Sequence, residues 1–204
     1  MFRRNYSSAL LEEAVDQFAS LPGVGRRTAL RLALHLLGEP RENVEQFAGA
    51  LTRLKRDVRF CPDCGMISDD GFCPFCGDSR RDATTVCVVE SIRDVLSIEN
   101  TGQYSGLYHI LGGIISPIDG IGPSDLRIRE LVSRLESGRI QEVILALSTS
   151  MEGETTAYYL YKQIAPFSVK VTAIARGVGF GDDLEYTDEM TLGRSIAGRQ
   201  PFNP

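Results

Sequence analysis

The spacing of apolar side chains divides the chain into two unlike halves. Leu10, Leu11, Ala14, Val15 and Phe18 recur at helical spacing over residues 8–19, with Glu12 and Glu13 in the first turn, where the helix dipole favours carboxylates. Pro22 stops this helix, Gly23 and Gly25 permit a tight hairpin, and a second helix follows to residue 37 with Ala29, Leu32, Ala33 and Leu36 on one face. Gly38 and Pro40 end it. A third helix is predicted over 41–58, striped by Val44, Phe47, Ala48, Leu51, Leu54 and Val58. Beyond residue 80 the pattern alternates. Strands are predicted over 84–90, 107–111, 142–148 and 169–175, and helices over 91–99, 124–137 and 152–164, with a last short helix over 188–197. Strand–helix alternation implies a parallel sheet covered by helices, with ligands at the carboxyl ends of its strands. Glu90 ends the first of these strands, and Glu152 and Glu154 follow the third.

Between the halves lies C-P-D-C-G-M-I-S-D-D-G-F-C-P-F-C-G, two C-P-x-C-G knuckles with eight residues between the pairs. A CxxC turn points both sulfurs inward, and Gly65 and Gly77 are free to take positive φ. Four soft thiolates at Cys61, Cys64, Cys73 and Cys76 suit a closed, structural Zn²⁺ site; two disulfides or two redox pairs are the alternatives. Cys87, in an apolar run, reads as a buried structural thiol. This usage fits a reducing cytoplasm. No 18-residue apolar run is present, and no apolar signal core follows Met1-Phe-Arg-Arg-Asn-Tyr, so neither a membrane span nor a leader is expected.

Charge adds one asymmetry. The net charge of −5 splits into ten Lys/Arg against seven Asp/Glu over residues 1–60 and twelve against twenty over 61–204. A polyanion site therefore belongs near the N-terminus, while the acidic part suits metals or basic protein partners. Helix, L-P-G-V-G, helix is the pattern of a helix-hairpin-helix, which offers backbone N–H groups at a helix N-terminus to phosphate oxygens without reading bases. Gly23 and Gly25 form the hairpin; Arg27 and Arg31 share a helix face, with Arg26 in support. The alternative is an ordinary αα-hairpin whose glycines merely close the turn. Gly177, Gly179 and Gly181 form a glycine-rich surface loop rather than a nucleotide loop, since no Lys-Ser/Thr follows them. His35 and His109 have no Cys or Ser partner in view and are assigned packing or surface roles.

The order of motifs, from L-P-G-V-G through the paired knuckles, V-V-E-S, Y-H-I-L-G-G-I-I-S-P-I-D-G-I-G-P and E-G-E-T-T-A-Y-Y-L to L-E-Y-T-D-E-M-T-L, resembles the RecR family of bacterial recombination mediators along essentially the whole chain. The resemblance implies a multi-domain α/β protein. Its segments would be a helical module with the helix-hairpin-helix (1–58), a four-cysteine zinc finger (59–79), a Toprim domain with helices on both faces of a parallel sheet (80–177) and a C-terminal oligomerisation tail (178–204). It also implies a ring-shaped homo-tetramer around DNA, and partnership with RecO and often RecF in loading RecA on gapped DNA. Toprim enzymes use a Glu after the first strand and aspartates after a later one. Glu90 matches the first, and E-G-E at Glu152–Glu154 matches the end of the second, but Ser148 and Ser150 stand at the aspartate positions. A hydroxyl brings no charge to Mg²⁺. A non-enzymatic DNA clamp is therefore expected, with Glu90, Glu152 and Glu154 as a partner surface; the alternative is a Mg²⁺-dependent phosphoryl-transfer enzyme using the same three carboxylates.

Overall fold

A computed structural model describes residue 6, residues 8–179 and residues 181–199. The expectations about the extreme N-terminus, and about residue 180 and residues 200–204 of the tail, fall outside these. The chain forms two compact units, Met1–Val58 and Arg59–Pro204.

In the first unit α1 (Ala9–Ala19) opens on Ser8, whose Oγ accepts from the Leu11 N–H at 3.3 Å, an N-cap that satisfies one orphan donor. α2 (Arg26–Gly38) packs against it around Val15, Ala29 and Ala33; the two alanines, one turn apart, let the helices approach closely. α3 (Arg41–Asp57) matches the predicted helix but buries none of its residues, and its stripe stands open, Phe47 44%, Leu51 53% and Leu54 58% exposed. Its amphipathic stripe is therefore only partly covered among the described residues.

The second unit begins with a small hairpin that the apolar pattern does not signal, β1 (Arg59–Phe60) antiparallel to β2 (Ile67–Ser68), followed by a single helical turn, α4 (Pro74–Gly77). Its sheet is built from β3 (Asp82–Val89), β4 (Gly106–Ile110), β5 (Glu142–Ala146) and β6 (Lys170–Ala173), all parallel, in the order β4-β3-β5-β6. The connecting helices are α5 (Ile92–Asn100), α6 (Ile128–Glu136) and α7 (Met151–Ile164), and α8 (Glu189–Ala197) closes the described chain. β3 is apolar on both faces because both are covered. Val86 and Val88 join Val143, Leu145, Leu131, Leu135, Leu160 and Ile164 under α6 and α7. The alternate residues Cys87 and Val89 join Val95 of α5, Tyr108, Ile110 and the finger cysteines on the other face. Cys87 is the buried thiol expected, and burial pushes its pKa up to about 12.

Three elements are shorter than the apolar pattern suggests, among them β6, which spans Lys170–Ala173 where a strand is expected over 169–175. The helix expected over 124–137 is instead a 3-10 turn at Pro123–Asp125 and then α6. Leu126 interrupts them with extended backbone (φ −103°, ψ 154°), which turns its side chain into the core. β5 ends at Ala146, so Ser148 lies in the following loop rather than in a strand.

Candidate metal centre and nucleic-acid interface

The four knuckle cysteines converge. Their sulfurs all lie within 4.8 Å of one another, Cys64 Sγ and Cys73 Sγ 3.4 Å apart, and Cys61, Cys64 and Cys73 are buried. Tetrahedral ligands at the Zn–S distance of about 2.3 Å stand about 3.8 Å apart, so the cage has the right size for the ion. Local backbone makes it. Gly65 takes φ +80°, its N–H donates to the Cys61 carbonyl at 2.9 Å, and the Met66 N–H then points at Cys64 Sγ at 3.4 Å. In the second knuckle the Cys76 N–H points at Cys73 Sγ, also at 3.4 Å. Gly77 makes no use of its freedom, having neither positive φ nor a close neighbour.

The electrostatics explain why a dication belongs there. Burial raises the Cys61 thiol, but N–H groups of Cys73, Cys64 and Asp63 outweigh it and bring its pKa down to about 7. The Cys76 sulfur and then burial push Cys64 far up, and burial with its sulfur neighbours pushes Cys73 up to about 11. Four thiolates at this spacing cannot all ionise without a cation to share them; with Zn²⁺ they can. These cysteines fit zinc.

The finger is fixed to the sheet by side chains that the apolar pattern gave no reason to single out. Phe75 meets Tyr108 edge-on with centroids 5.5 Å apart, and the Arg81 guanidinium lies 4.7 Å from the Phe75 centroid. Glu99 holds that arrangement from α5, accepting from Arg81 at 2.5 Å and from the Tyr108 hydroxyl at 2.6 Å. His109 is fully buried and takes a packing role, Nε2 2.7 Å from the Arg127 carbonyl and Nδ1 3.4 Å from Arg134 Nη1.

In the first unit the hairpin is tight. Gly23 has φ +79°, and the Val24 N–H donates to the Leu21 carbonyl at 3.1 Å. Gly25 is the N-cap of α2 and carries no side chain to satisfy the first N–H groups of the helix. Its φ of −76° suits any residue, and an added Cβ would meet nothing within 4 Å. Arg26 is tied to Asp16 at 2.9 Å. Arg27 and Arg31 are exposed and have no ion pair among the described residues. Like charges one turn apart cost a few tenths of a kcal/mol, about 0.2–0.5, unless an anion joins them.

At the carboxyl edge of the sheet, β3 and β5 are neighbours although β4 intervenes in sequence, so the crevice of a topological switch point opens between them. Glu90 spans it by accepting the Ser148 N–H at 2.5 Å. Ser150 caps α7 by accepting from the Gly153 N–H at 3.0 Å, and its hydroxyl lies 3.1 Å from that of Ser148. Gly153 has to be glycine, since a Cβ would fall 2.2 Å from the Ser148 carbonyl oxygen. Glu154 is ion-paired with Arg176, and with Arg194 of α8 at 3.6 Å. Among the described residues the four cysteines are the only set of three or more Cys, His, Asp or Glu ligand atoms gathered within 4.8 Å. Glu90, Glu152 and Glu154 lie along this edge, Glu90 held by backbone and Glu154 by arginines.

A parallel sheet with a tetrathiol finger on one face, accompanied by a separate helical hairpin unit, defines the class: a Toprim protein carrying a helix-hairpin-helix. The Toprim domain profile matches residues 84–175, the profile described as RecR, helix-hairpin-helix matches 11–55, and RecR, C-terminal matches 177–200. Recombination protein RecR of Porphyromonas gingivalis strain W83 is 59% identical over 200 residues, covering 98% of this chain and 97% of its own. Its counterparts in Bacteroides thetaiotaomicron (56%, covering 98% and 97%) and Flavobacterium johnsoniae (54%, covering 97% and 96%) are similar along their lengths. The chain belongs to the RecR family, and its role lies in DNA recombination and repair. No helix among the described residues is long and apolar enough to cross a membrane.

Proposed function

We propose that this protein is a non-enzymatic, sequence-independent DNA clamp of the bacterial cytoplasm, which acts with RecO, and with RecF as a second partner, to promote RecA loading on gapped DNA. The observation that carries it is the open N-terminus of α2: uncapped N–H groups behind Gly25, beside two exposed arginines with no ion pair among the described residues. Phosphate fits such a terminus, and a backbone contact of this kind ignores sequence. Arg27 and Arg31 contact the strand, while Arg26, held by Asp16, braces the hairpin. One Zn²⁺ on Cys61, Cys64, Cys73 and Cys76 organises the finger. The segments divide as 1–58, 59–79, 80–177 and 178–204, the last two being the Toprim scaffold and an oligomerisation tail. The open α3 stripe and the exposed Tyr186, Met190 and Ile196 support assembly into a tetrameric ring.

The Toprim edge is a partner surface rather than a catalytic one. Two serines replace charged ligands, and Glu154 is already engaged by arginine. Glu90, Glu152 and Glu154 present an acidic edge to a basic partner, with Glu152, which has no ion pair among the described residues, the most available. A Glu152→Lys chain that still captured RecO normally would remove this surface from the account. For DNA, the double variant Arg27→Glu, Arg31→Glu should lose binding to single-stranded and duplex oligonucleotides while its circular dichroism stays that of wild type. Unchanged affinity would place the DNA site elsewhere.

A further inference from the structure

Arg127 sits in the short segment between the 3-10 turn and α6, far in sequence from the cysteines, yet it is built into the first knuckle. Its Nη2 donates to the Pro62 carbonyl at 2.8 Å and reaches the Cys61 carbonyl at 3.5 Å. Its backbone N–H donates to the Leu111 carbonyl at 3.0 Å, and its own carbonyl faces His109 Nε2 at 2.7 Å, so both ends of the residue are pinned to the end of β4. The knuckle is pinned there as well, the Ile110 N–H donating to the Cys64 carbonyl at 2.7 Å. Arg127 Nε is buried without a hydrogen-bond partner, its closest acid being Glu130 at 3.8 Å. Gly65 leaves the space this side chain occupies: a Cβ there would fall 3.1 Å from Arg127 Nε and 3.2 Å from its Cδ.

We propose that Arg127 is a positioning residue for the metal centre: its guanidinium clamps the Cys61–Gly65 turn in the ligating conformation and balances the charge of the loaded site. This rests on the assignment of zinc to the four cysteines. Four thiolates around one dication leave two negative charges in a buried knot, and a cation that cannot be deprotonated, packed on the turn, offsets them. The clamp acts through carbonyls, so it does not compete for the metal. It also joins finger and sheet, since the same residue holds Pro62 from one side and His109 from the other.

The test uses the full chain. Wild type, Arg127→Met, Arg127→Lys, Arg129→Met and Leu160→Ala are purified with zinc, and release to a colorimetric chelator is timed at neutral pH. Parallel samples are loaded with Co²⁺ and their thiolate-to-metal and d–d bands recorded. Removing an outer-shell partner typically weakens metal binding roughly 10- to 100-fold, so Arg127→Met should release zinc roughly 10- to 100-fold faster than wild type and shift the cobalt bands. Arg127→Lys should fall between the two. Arg129→Met, which removes a neighbouring exposed arginine, and Leu160→Ala, which destabilises the core under α7, should release zinc as wild type does. Release from Arg127→Met at the wild-type rate with unchanged cobalt bands overturns the positioning role, as does equal acceleration in Leu160→Ala, which would make the effect one of general stability. Wild type purified without zinc overturns the metal assignment itself and is recognised before any variant is compared.

Discussion

Gly23 and Gly25 stand two residues apart in one hairpin and are glycines for different reasons. Gly23 is held at φ +79°, where an L side chain costs roughly 1–2 kcal/mol, so Gly23→Ala should lower the unfolding free energy read from urea titrations by that amount. Gly25 needs neither unusual φ nor room within the chain, so Gly25→Ala should cost only the poorer N-cap and less than Gly23→Ala. A methyl there crowds the approach to the α2 N–H groups, and DNA affinity should fall roughly 2- to 10-fold, about the worth of one hydrogen bond. Equal affinity for Gly25→Ala would mean that no phosphate comes to that terminus. His109 carries a second residue-scale prediction. Burial, reinforced by the neighbouring Arg134 and Arg127 charges, lowers its pKa to about 4 from 6.5. Between those values the unfolded chain binds a proton that the folded chain refuses, so stability falls as pH drops from about 6.5 toward 4 and is unaffected above. The loss reaches at most about 3 kcal/mol. In His109→Gln, urea titrations from pH 7 to pH 4 should lack this component; an identical pH dependence in the two proteins would contradict it.

Among the elements, the helices and strands were legible wherever local period settles them. Val15, Ala29 and Ala33 fall at the predicted helical spacing, and the continuous run Val86–Val89 announces a strand covered on both sides. Elements set by tertiary contact were not. Leu126 falls inside the helix predicted over 124–137, but its place in the core is reached by an extended backbone, which splits that helix. The finger hairpin has two residues per strand, too few for any period. The cysteine cage could be read from spacing because its ligands are close in sequence; its clamp could not, because Arg127 contacts Cys61 across 66 positions. The acidic edge was legible in position and misleading in detail, since nothing local tells that Arg176 and Arg194 return to Glu154. α3 shows the converse, a clean stripe of which no residue is buried among the described residues. If a second copy covers it, a charge at its centre should break that contact, and Leu51→Asp should lower the oligomer mass without lowering helix content. Unaltered mass would leave the stripe without this role.

For the whole molecule, the division of charge fits the division of labour proposed: a basic helical unit for phosphate and an acidic sheet unit for protein partners, with ten Lys/Arg against seven Asp/Glu over 1–60 and twelve against twenty beyond. Contacts to phosphate release counterions, so affinity should fall linearly in log–log with salt, with a slope reduced by roughly 2 when Arg27 and Arg31 are both removed. A clamp requires more than a binding site, because the chain has to close on itself through surfaces such as the α3 stripe. Native mass spectrometry of the full chain, alone and with a short duplex lacking any chosen sequence, measures this most directly. A ring-forming clamp gives four chains in the free protein and four chains holding one duplex when DNA is added. A monomer in both samples, or a tetramer that leaves the duplex free, would contradict it.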